Sequence, residues 1–215
     1  MCNAQSLQNK FLINSGDEAK IKNLLSAMSL SEKVGQMTQI GLAAFADGKG
    51  GMNKDKLRDA IIKYHIGSIL NGYDTTAYSI NQWHDIIELV QNVAVKETKL
   101  KIPILYGVDA THGASFTRES TIFPHQINIG FTRNETLAKN MGEVTAMQVR
   151  ASGIRWAFAP QVDVAKNPLW PRLEEVYGED TYLNTRLGVA VTKGLQGTSL
   201  KNSTSVAACI KSFIG

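Results

Sequence analysis

The chain has 215 residues, 43% hydrophobic and 20% charged, with a net charge of +4. These are ordinary proportions for a globular protein, and no apolar run reaches the ~18 residues that a membrane-spanning helix needs. Lys54, Lys56 and Arg58 alternate with Asp55 and Asp59, so the positive excess is dispersed, whereas nucleic-acid binders gather it in a patch or stripe; no nucleic-acid partner is expected.

Cys2 and Cys209 stand at opposite ends of the chain. Two such residues set neither a disulfide framework nor a metal spacing, and they leave the redox compartment open. The segment 1–14 lacks the charged-then-apolar order of a secretory signal. Localisation is therefore unassigned; a periplasmic or secreted parent would carry its signal outside these residues.

In chain order, a helix is predicted over roughly 17–28. Ser29-Leu-Ser-Glu32 then fits a capping box opening a second helix, which places Val34, Met37 and Ile40 on one face. Gly48 to Gly51 reads as a loop. Asn53 caps a helix with Leu57, Ile61 and Ile62 on one side, and 66–70 (Ile-Gly-Ser-Ile-Leu) follows as the expected first strand. Ser79 and Gln82 form another capping box, ahead of Ile86, Ile87, Val90 and Val93 at helical spacing. Pro103 introduces 104–108 (Ile-Leu-Tyr-Gly-Val), apolar on both faces as a buried parallel strand should be.

A short strand is predicted at 127–131 (Ile-Asn-Ile-Gly-Phe). Thr132 to Glu135 then caps a long helix with Leu137, Met141, Val144 and Val149 inward. The run 154–158 (Ile-Arg-Trp-Ala-Phe) is a strand halted by Pro160, and a helix spans about 180–195. A polar loop at 197–205 leads into a final strand at 206–214. Roughly five strands alternate with helices, the pattern of a parallel sheet with crossover helices. An eight-stranded barrel takes about 250 residues, and this chain stops right after a buried-looking strand. The expected fold is thus an α/β, (β/α)8 TIM-type barrel that is incomplete, with residues 1–215 as the N-terminal part of one barrel domain.

In such barrels the chemistry gathers at the C-terminal ends of the strands. Asp109 follows Tyr106-Gly-Val directly, with His112 just behind it. Asp163 lies beyond Pro160, the loop 167–180 is rich in Trp, Arg and carboxylates, and Lys211 and Ser212 sit near the end of the last strand. Ordinary readings stand beside the functional ones. Asp109 and Asp163 suit caps or turns, His112 a bond to a backbone carbonyl, Trp170 a cover for the barrel mouth, and Arg172 with Glu175 an ion pair. Lys211, inside an apolar run, needs a partner or a ligand. Gly-x-Gly-x-x-Gly, Gly-Lys-Ser/Thr, Gly-x-Ser-x-Gly and His-x-x-x-His spacings are all missing from the sequence, so no cofactor and no metal are expected. Asp accepts bonds from hydroxyls, Arg and Lys donate to them, and Trp offers a flat apolar face. That set suits a neutral polyhydroxylated ligand better than a phosphate or a hydride acceptor.

At these residues the sequence resembles glycoside hydrolase family 3, the β-glucosidase and β-xylosidase group. The likeness runs through Leu30-Ser-Glu-Lys-Val-Gly-Gln-Met37, Ile102-Pro-Ile-Leu-Tyr-Gly-Val-Asp-Ala-Thr-His-Gly113, and Thr121-Ile-Phe-Pro124 with Ile129-Gly-Phe-Thr132. It continues through Arg150-Ala-Ser-Gly-Ile-Arg-Trp-Ala-Phe-Ala-Pro160, Trp170-Pro-Arg-Leu-Glu-Glu-Val-Tyr-Gly-Glu-Asp180 and Val206-Ala-Ala-Cys-Ile-Lys-Ser-Phe-Ile-Gly215.

The resemblance implies a retaining glycosidase acting on terminal β-linked glucose or a similar sugar in an oligosaccharide or glycoside substrate. Asp109, Arg172, Lys211, Ser212 and Trp170 would line the sugar subsite. Glu175 and His112 would stand one layer behind it, with Glu175 steadying Arg172. The Asp nucleophile and the acid/base carboxylate of that mechanism would lie beyond Gly215, so no catalytic residue is assigned within the chain. Two departures from the family pattern stand out. Its Lys-His pair is here Lys211-Ser212, and its Trp-Gly-Arg is Trp170-Pro171-Arg172. They keep a non-catalytic, sugar-binding relative open as the alternative, and a barrel aldolase with Lys211 as Schiff-base amine as a third reading.

Overall fold

The computed structural model describes residues 15–48, 51–73 and 76–213. Cys2, the segment 1–14, part of the Gly48 to Gly51 loop and the end of the 206–214 run lie outside those residues. Five parallel strands form one sheet in chain order: β1 (Gln39–Gly41), β2 (Ser68–Leu70), β3 (Leu105–Val108), β4 (Trp156–Ala157) and β5 (Ala207–Ala208). Parallel neighbours in sequential order, with helical segments in each connection, are the strand arrangement of a barrel wall. The sheet is open between β1 and β5. Its register sets Ile40 against Ile69, Ile69 against Tyr106, Val108 against Ala157 and Ala157 against Ala208.

The helices are α1 (Ser15–Ala27), α2 (Leu30–Gln36), α3 (Lys54–Arg58, continued by one wider turn, Asp59–Lys63), α4 (Ile80–Glu97), α5 (Gln126–Thr132), α6 (Glu135–Ala151) and α7 (Thr181–Gln196). Both capping boxes form: the Ser29 and Ser79 side chains accept from the N–H groups of Glu32 and Gln82, whose side chains accept from the N–H of the capping residue. Asn53 caps α3 and Asp180 caps α7 without the return bond, the Asn53 side chain accepting from Lys56 N–H and the Asp180 side chain from the N–H groups of Tyr182 and Leu183. Each satisfies donors that a helix start leaves open. No helix among the described residues is long and apolar enough to cross a membrane.

Several sequence expectations need correction. Ile40 is not on the second helix but in β1, so 66–70 holds the second strand rather than the first; Val34 and Met37 are exposed. The three-residue spacing of these side chains imitates a helix face. The chain leaves the helix because Thr38 turns back, its N–H on the Gly35 carbonyl and its hydroxyl on the Val34 carbonyl. Second, 127–131 is not a strand but lies in helix α5. Its β-prone residues mislead, whereas the buried positions Gln126, Ile129 and Gly130 keep a helical interval. Gly130 lets that helix lie flat: an added Cβ would collide with the Tyr177 carbonyl. Five strands were expected and five are present, but the set differs.

Third, the described part of the 206–214 run, residues 206–213, does not form a long strand. After β5 the Cys209 N–H is shared between the carbonyls of Ala157 and Ala159, and Lys211 pairs with Gln161 through an isolated bridge. Pro160 has no N–H to continue a regular ladder, although its carbonyl accepts from Lys211 at 2.9 Å.

Helix α6 begins after Asn134, whose side chain caps Leu137 N–H, rather than at Thr132. Leu137 is exposed and Val144 only partly buried; Ala138, Met141, Gly142, Thr145, Ala146 and Val149 face inward. The face is rotated because α6 meets α7 through glycines. A Cβ at Gly142 would crowd the Val191 carbonyl, and one at Gly194 would overlap the Lys139 carbonyl and press on Glu143 N and Gly142 Cα. The closest backbone approach, not the largest side chain, sets the seam.

Gly194→Ala therefore runs against the usual helix trend. In an open helix the change gains about 1 kcal/mol, but here the obstructing atoms are all backbone and cannot swing aside. A loss of about 1–3 kcal/mol is expected, read as a lower midpoint in urea unfolding; a stabilised variant would show that the seam opens freely.

Candidate functional site

The polar side chains of interest stand where the sheet ends. β2 stops at Leu70 and β3 at Val108, so Asn71 and Asp109 emerge side by side at the C-terminal edge. Asn71 is locked in place by its backbone. Its N–H donates to the Gly107 carbonyl at 2.9 Å, its carbonyl accepts the Tyr106 hydroxyl at 2.7 Å, and its φ of 56° is left-handed, a region asparagine enters more readily than most residues. Burial pushes the Tyr106 phenol well above its ordinary range, so it stays a protonated donor.

The Asn71 amide clasps Asp109 twice. Nδ2 donates to Asp109 Oδ2 at 2.8 Å, while Oδ1 accepts the Asp109 backbone N–H at 2.8 Å. The other carboxylate oxygen, Oδ1, accepts from Lys211 Nζ at 2.6 Å. The lysine expected to need a partner has one, with the two side chains 27% and 35% exposed. The pair is thus screened from solvent yet still reachable from it.

Arg172 immediately precedes the three-residue turn Leu173–Glu175, whose last residue is Glu175, and this spacing lets the guanidinium grip the carboxylate with two parallel bonds. Nε donates to Oε1 at 2.9 Å and Nη2 to Oε2 at 2.6 Å, the strong geometry of such pairs. Nη2 also reaches Oε1 of the buried Gln161 at 3.4 Å. The hydrogen bonds to Glu175 hold the Arg172 pKa above its ordinary value, and the charges of Glu175, Asp163 and Asp109 push it the same way. Glu175 is held below the ordinary carboxylate value, first by the Arg172 bonds and further by the charges of Arg172 and Lys211. Asp109, Lys211, Arg172 and Glu175 therefore share one electrostatic neighbourhood. Asp163 joins it as a buried carboxylate whose Oδ2 lacks a hydrogen-bond partner.

The remaining candidates stand apart. Trp170 is partly buried, its backbone bonded to Asn167 and Leu173 in the turn that presents Arg172. Among the described residues its ring makes no hydrogen bond or stacking contact with Asp109, Lys211 or Arg172. Ser212 is exposed at a φ of 55° beside Lys211, with no side-chain bond to the cluster. His112 Nδ1 lies 3.0 Å from the Phe123 carbonyl and its ring stacks on His125 at 4.3 Å; it braces the loop after β3. Asn71 and Gln161 escaped the sequence reading, although the strand-end rule that marks Asp109 applies equally to Asn71. Among the described residues no three His, Cys, Asp or Glu side chains gather as metal ligands would.

Comparison with known proteins gives a consistent result. Residues 29–215 match the model of the glycosyl hydrolase family 3 N-terminal domain. The chain is 35% identical over 185 residues to a lysosomal beta glucosidase of Dictyostelium discoideum, covering 82% of this chain and 22% of that protein. It is 30% identical over 197 residues to a periplasmic beta-glucosidase of Salmonella typhimurium, covering 91% and 23%. Among solved structures, the exo-1,3/1,4-beta-glucanase of a Pseudoalteromonas species superposes with a TM-score of 0.79 at 34% identity, covering 93% of this chain and 25% of that one. The beta-glucosidase of Listeria innocua in complex with isofagomine does so with 0.73 at 31%, covering 91% and 25%; that enzyme has also been solved in complex with glucose. The chain spans about a quarter of the length of these relatives.

The Arg172–Glu175 pair carries a pH signature. Because the folded-state pKa of Glu175 is depressed, the unfolded chain binds more protons in the acid range. The pair's contribution is full above the ordinary carboxylate value of 4.5 and is lost as pH falls through the lower folded value. With Arg172 47% exposed, that contribution is about 1 kcal/mol or less. The stability difference between wild type and Glu175→Gln, from urea unfolding at a series of pH values, should shrink below that range; a difference flat with pH would remove the pair from the stability of the site.

Proposed function

The chain belongs to glycoside hydrolase family 3, and on that premise we propose that it forms the N-terminal part of the barrel of a retaining β-glucosidase-type enzyme. In this reading it holds the terminal sugar of an oligosaccharide or glycoside, while other parts of a longer protein supply the catalytic carboxylates. The observation that carries the reading is the Lys211–Asp109 pair at 2.6 Å at the strand ends, close enough to the Arg172 loop for the Asp109 charge to raise the Arg172 pKa. Asp109 accepts from ring hydroxyls, and Lys211 and Arg172 donate to others. Trp170 and Ser212, whose side chains make no hydrogen bond or stacking contact with these three among the described residues, are assigned to the edge of the subsite in this reading, with Glu175 keeping the guanidinium aimed and His112 bracing the loop. The glucose and isofagomine complexes of the Listeria relative support a sugar-like ligand.

None of these carboxylates is assigned as nucleophile. Both oxygens of Asp109 and both of Glu175 are engaged by donors, an arrangement that suits orienting a substrate rather than attacking an anomeric carbon. A retaining mechanism places two carboxyl groups about 5–5.5 Å apart across the scissile bond, one as nucleophile and one as acid then base. Both belong to the longer protein in this reading. Lys211 directs its ammonium hydrogen at a carboxylate, the reverse of the desolvated amine that a Schiff base requires, so the aldolase reading is set aside. Ser212, exposed and without a side-chain hydrogen bond among the described residues, favours one second reading, a relative that binds sugar without cleaving it.

The test is hydrolysis of an aryl β-glucoside by the full-length protein. Asp109→Asn and Lys211→Met should each lower kcat/KM by about 10- to 150-fold, the cost of losing a hydrogen bond to a charged group. Normal kcat/KM in both variants overturns the subsite, and glucose binding without any turnover in the wild type establishes the second reading. Residues 1–215 alone should release no aglycone.

A separate measurement addresses Ser212. Histidine tolerates left-handed φ better than most residues, so Ser212→His should raise kcat/KM by about 5-fold or more by adding a hydroxyl contact. An unchanged or lower value means that the site is built around serine.

A further inference from the structure

We propose that Asn71 is the positioning residue of the sugar subsite: its side-chain amide fixes the Asp109 carboxylate so that Lys211 engages one oxygen only and lone pairs stay open to substrate hydroxyls. The inference rests on the sugar-subsite reading of Asp109. Its basis is the two-point clasp, Nδ2 to Asp109 Oδ2 and Oδ1 from Asp109 N–H, both at 2.8 Å.

The partners fix the orientation of the amide. A backbone N–H only donates, so the atom facing it is the carbonyl oxygen, and the NH2 group then faces the carboxylate. Among side chains of this length only asparagine offers a donor and an acceptor on one planar head. Aspartate would set an acceptor against an acceptor; serine is too short to reach both atoms. The head is also aimed by a rigid base, because the Asn71 backbone is held by Gly107 and by the Tyr106 hydroxyl, in the left-handed region. Tyr106 is itself buried and packs edge-on against Trp83, with ring centroids 5.8 Å apart. A continuous line thus runs from the aromatic core through Tyr106 and Asn71 to Asp109. Without the amide, Asp109 Oδ2 loses its neutral partner and the carboxylate is free to turn both oxygens toward Lys211, closing the pair against a ligand.

The test uses the full-length protein with an aryl β-glucoside as substrate and glucose as titrant, comparing Asn71→Gly, Asn71→Asp and Asp109→Asn. Glycine keeps the left-handed backbone at no steric cost and removes only the amide. Asn71→Gly should weaken glucose binding and lower kcat/KM by about 10-fold or more while the melting temperature moves little. Asn71→Asp places a second carboxylate against Asp109. The groups facing that pair are Lys211, Tyr106 with Tyr73 and Tyr78 behind it, and Arg172 through its charge. Two carboxylates in contact share a proton, so kcat/KM of this variant should fall as pH rises from 5 to 8, about 10-fold more steeply than in wild type, a change a purely structural role would not produce. If Asp109→Asn abolishes hydrolysis while Asn71→Gly stays within two-fold of wild type and Asn71→Asp keeps the wild-type pH profile, the positioning role is wrong and the subsite stands. If Asp109→Asn hydrolyses normally, the subsite reading and this inference fall together.

Discussion

The ion pair between Lys211 and Asp109 joins residues 102 positions apart in the chain, and the rest of the site depends on it. Neighbouring strands of a sheet lie about 4.8 Å apart. Asp109 leaves β3 and Lys211 follows β5, so the pair reaches across β4 between them, a span of about 10 Å that only a long side chain can cover on a curved wall. Four consecutive strands each place one polar side chain at this edge: Asn71 after β2, Asp109 after β3, Gln161 after β4 and Lys211 after β5. Asn71 and Lys211 grip Asp109 from its two sides, while Gln161 receives Arg172. The sequential strand order alone brings the four together; any other order would scatter them.

Such an arrangement does little for stability. Exposed and half-exposed ion pairs contribute about 1 kcal/mol or less, and desolvating them further offsets part of that. In the proposed function its effect is to keep donors and acceptors already oriented before a ligand arrives, so that less reorganisation opposes binding. The rigid supports lie below the rim. Asn71 is pinned by Tyr106 and Gly107, and Lys211 is carried by irregular pairing with Pro160 and Gln161. The irregular end of β5 moves Lys211 off the ladder and toward Asp109.

Much of this was legible in the sequence. The rule that strand ends carry chemistry singled out Asp109 and Lys211, and the misfit of a lysine in an apolar run anticipated its ion pair. Arg172 and Glu175, three positions apart around a turn, form the ordinary pair that their spacing allows. Asn71 was not read because Asn-Gly after a strand looks like turn chemistry, and it is that as well: the left-handed φ of Asn71 serves the turn and aims the amide together. Helix α5 hid behind the composition Ile-Asn-Ile-Gly-Phe, whose β preference yields to packing under Tyr177. Strand β1 escaped because three residues are too few to show an alternation. Interior contacts that hinge on glycine, such as Gly142 with Gly194, leave no periodic trace, since the informative feature is a missing side chain.

The charge balance of the rim bears on what it can hold. Arg172 and Lys211 bring two positive charges, while Asp109, Glu175 and Asp163 bring three negative ones, leaving the neighbourhood formally near neutral with a slight negative excess. A phosphate or carboxylate ligand would find each cation already matched by a carboxylate and would meet repulsion from the third. A neutral polyol meets no such opposition. Each of its hydroxyls both donates and accepts, so it can insert between a cation and an anion and satisfy both. In the proposed reading, alternating donors and acceptors with one formal negative charge in excess suit a sugar ring, and four strand ends and one loop supply that alternation.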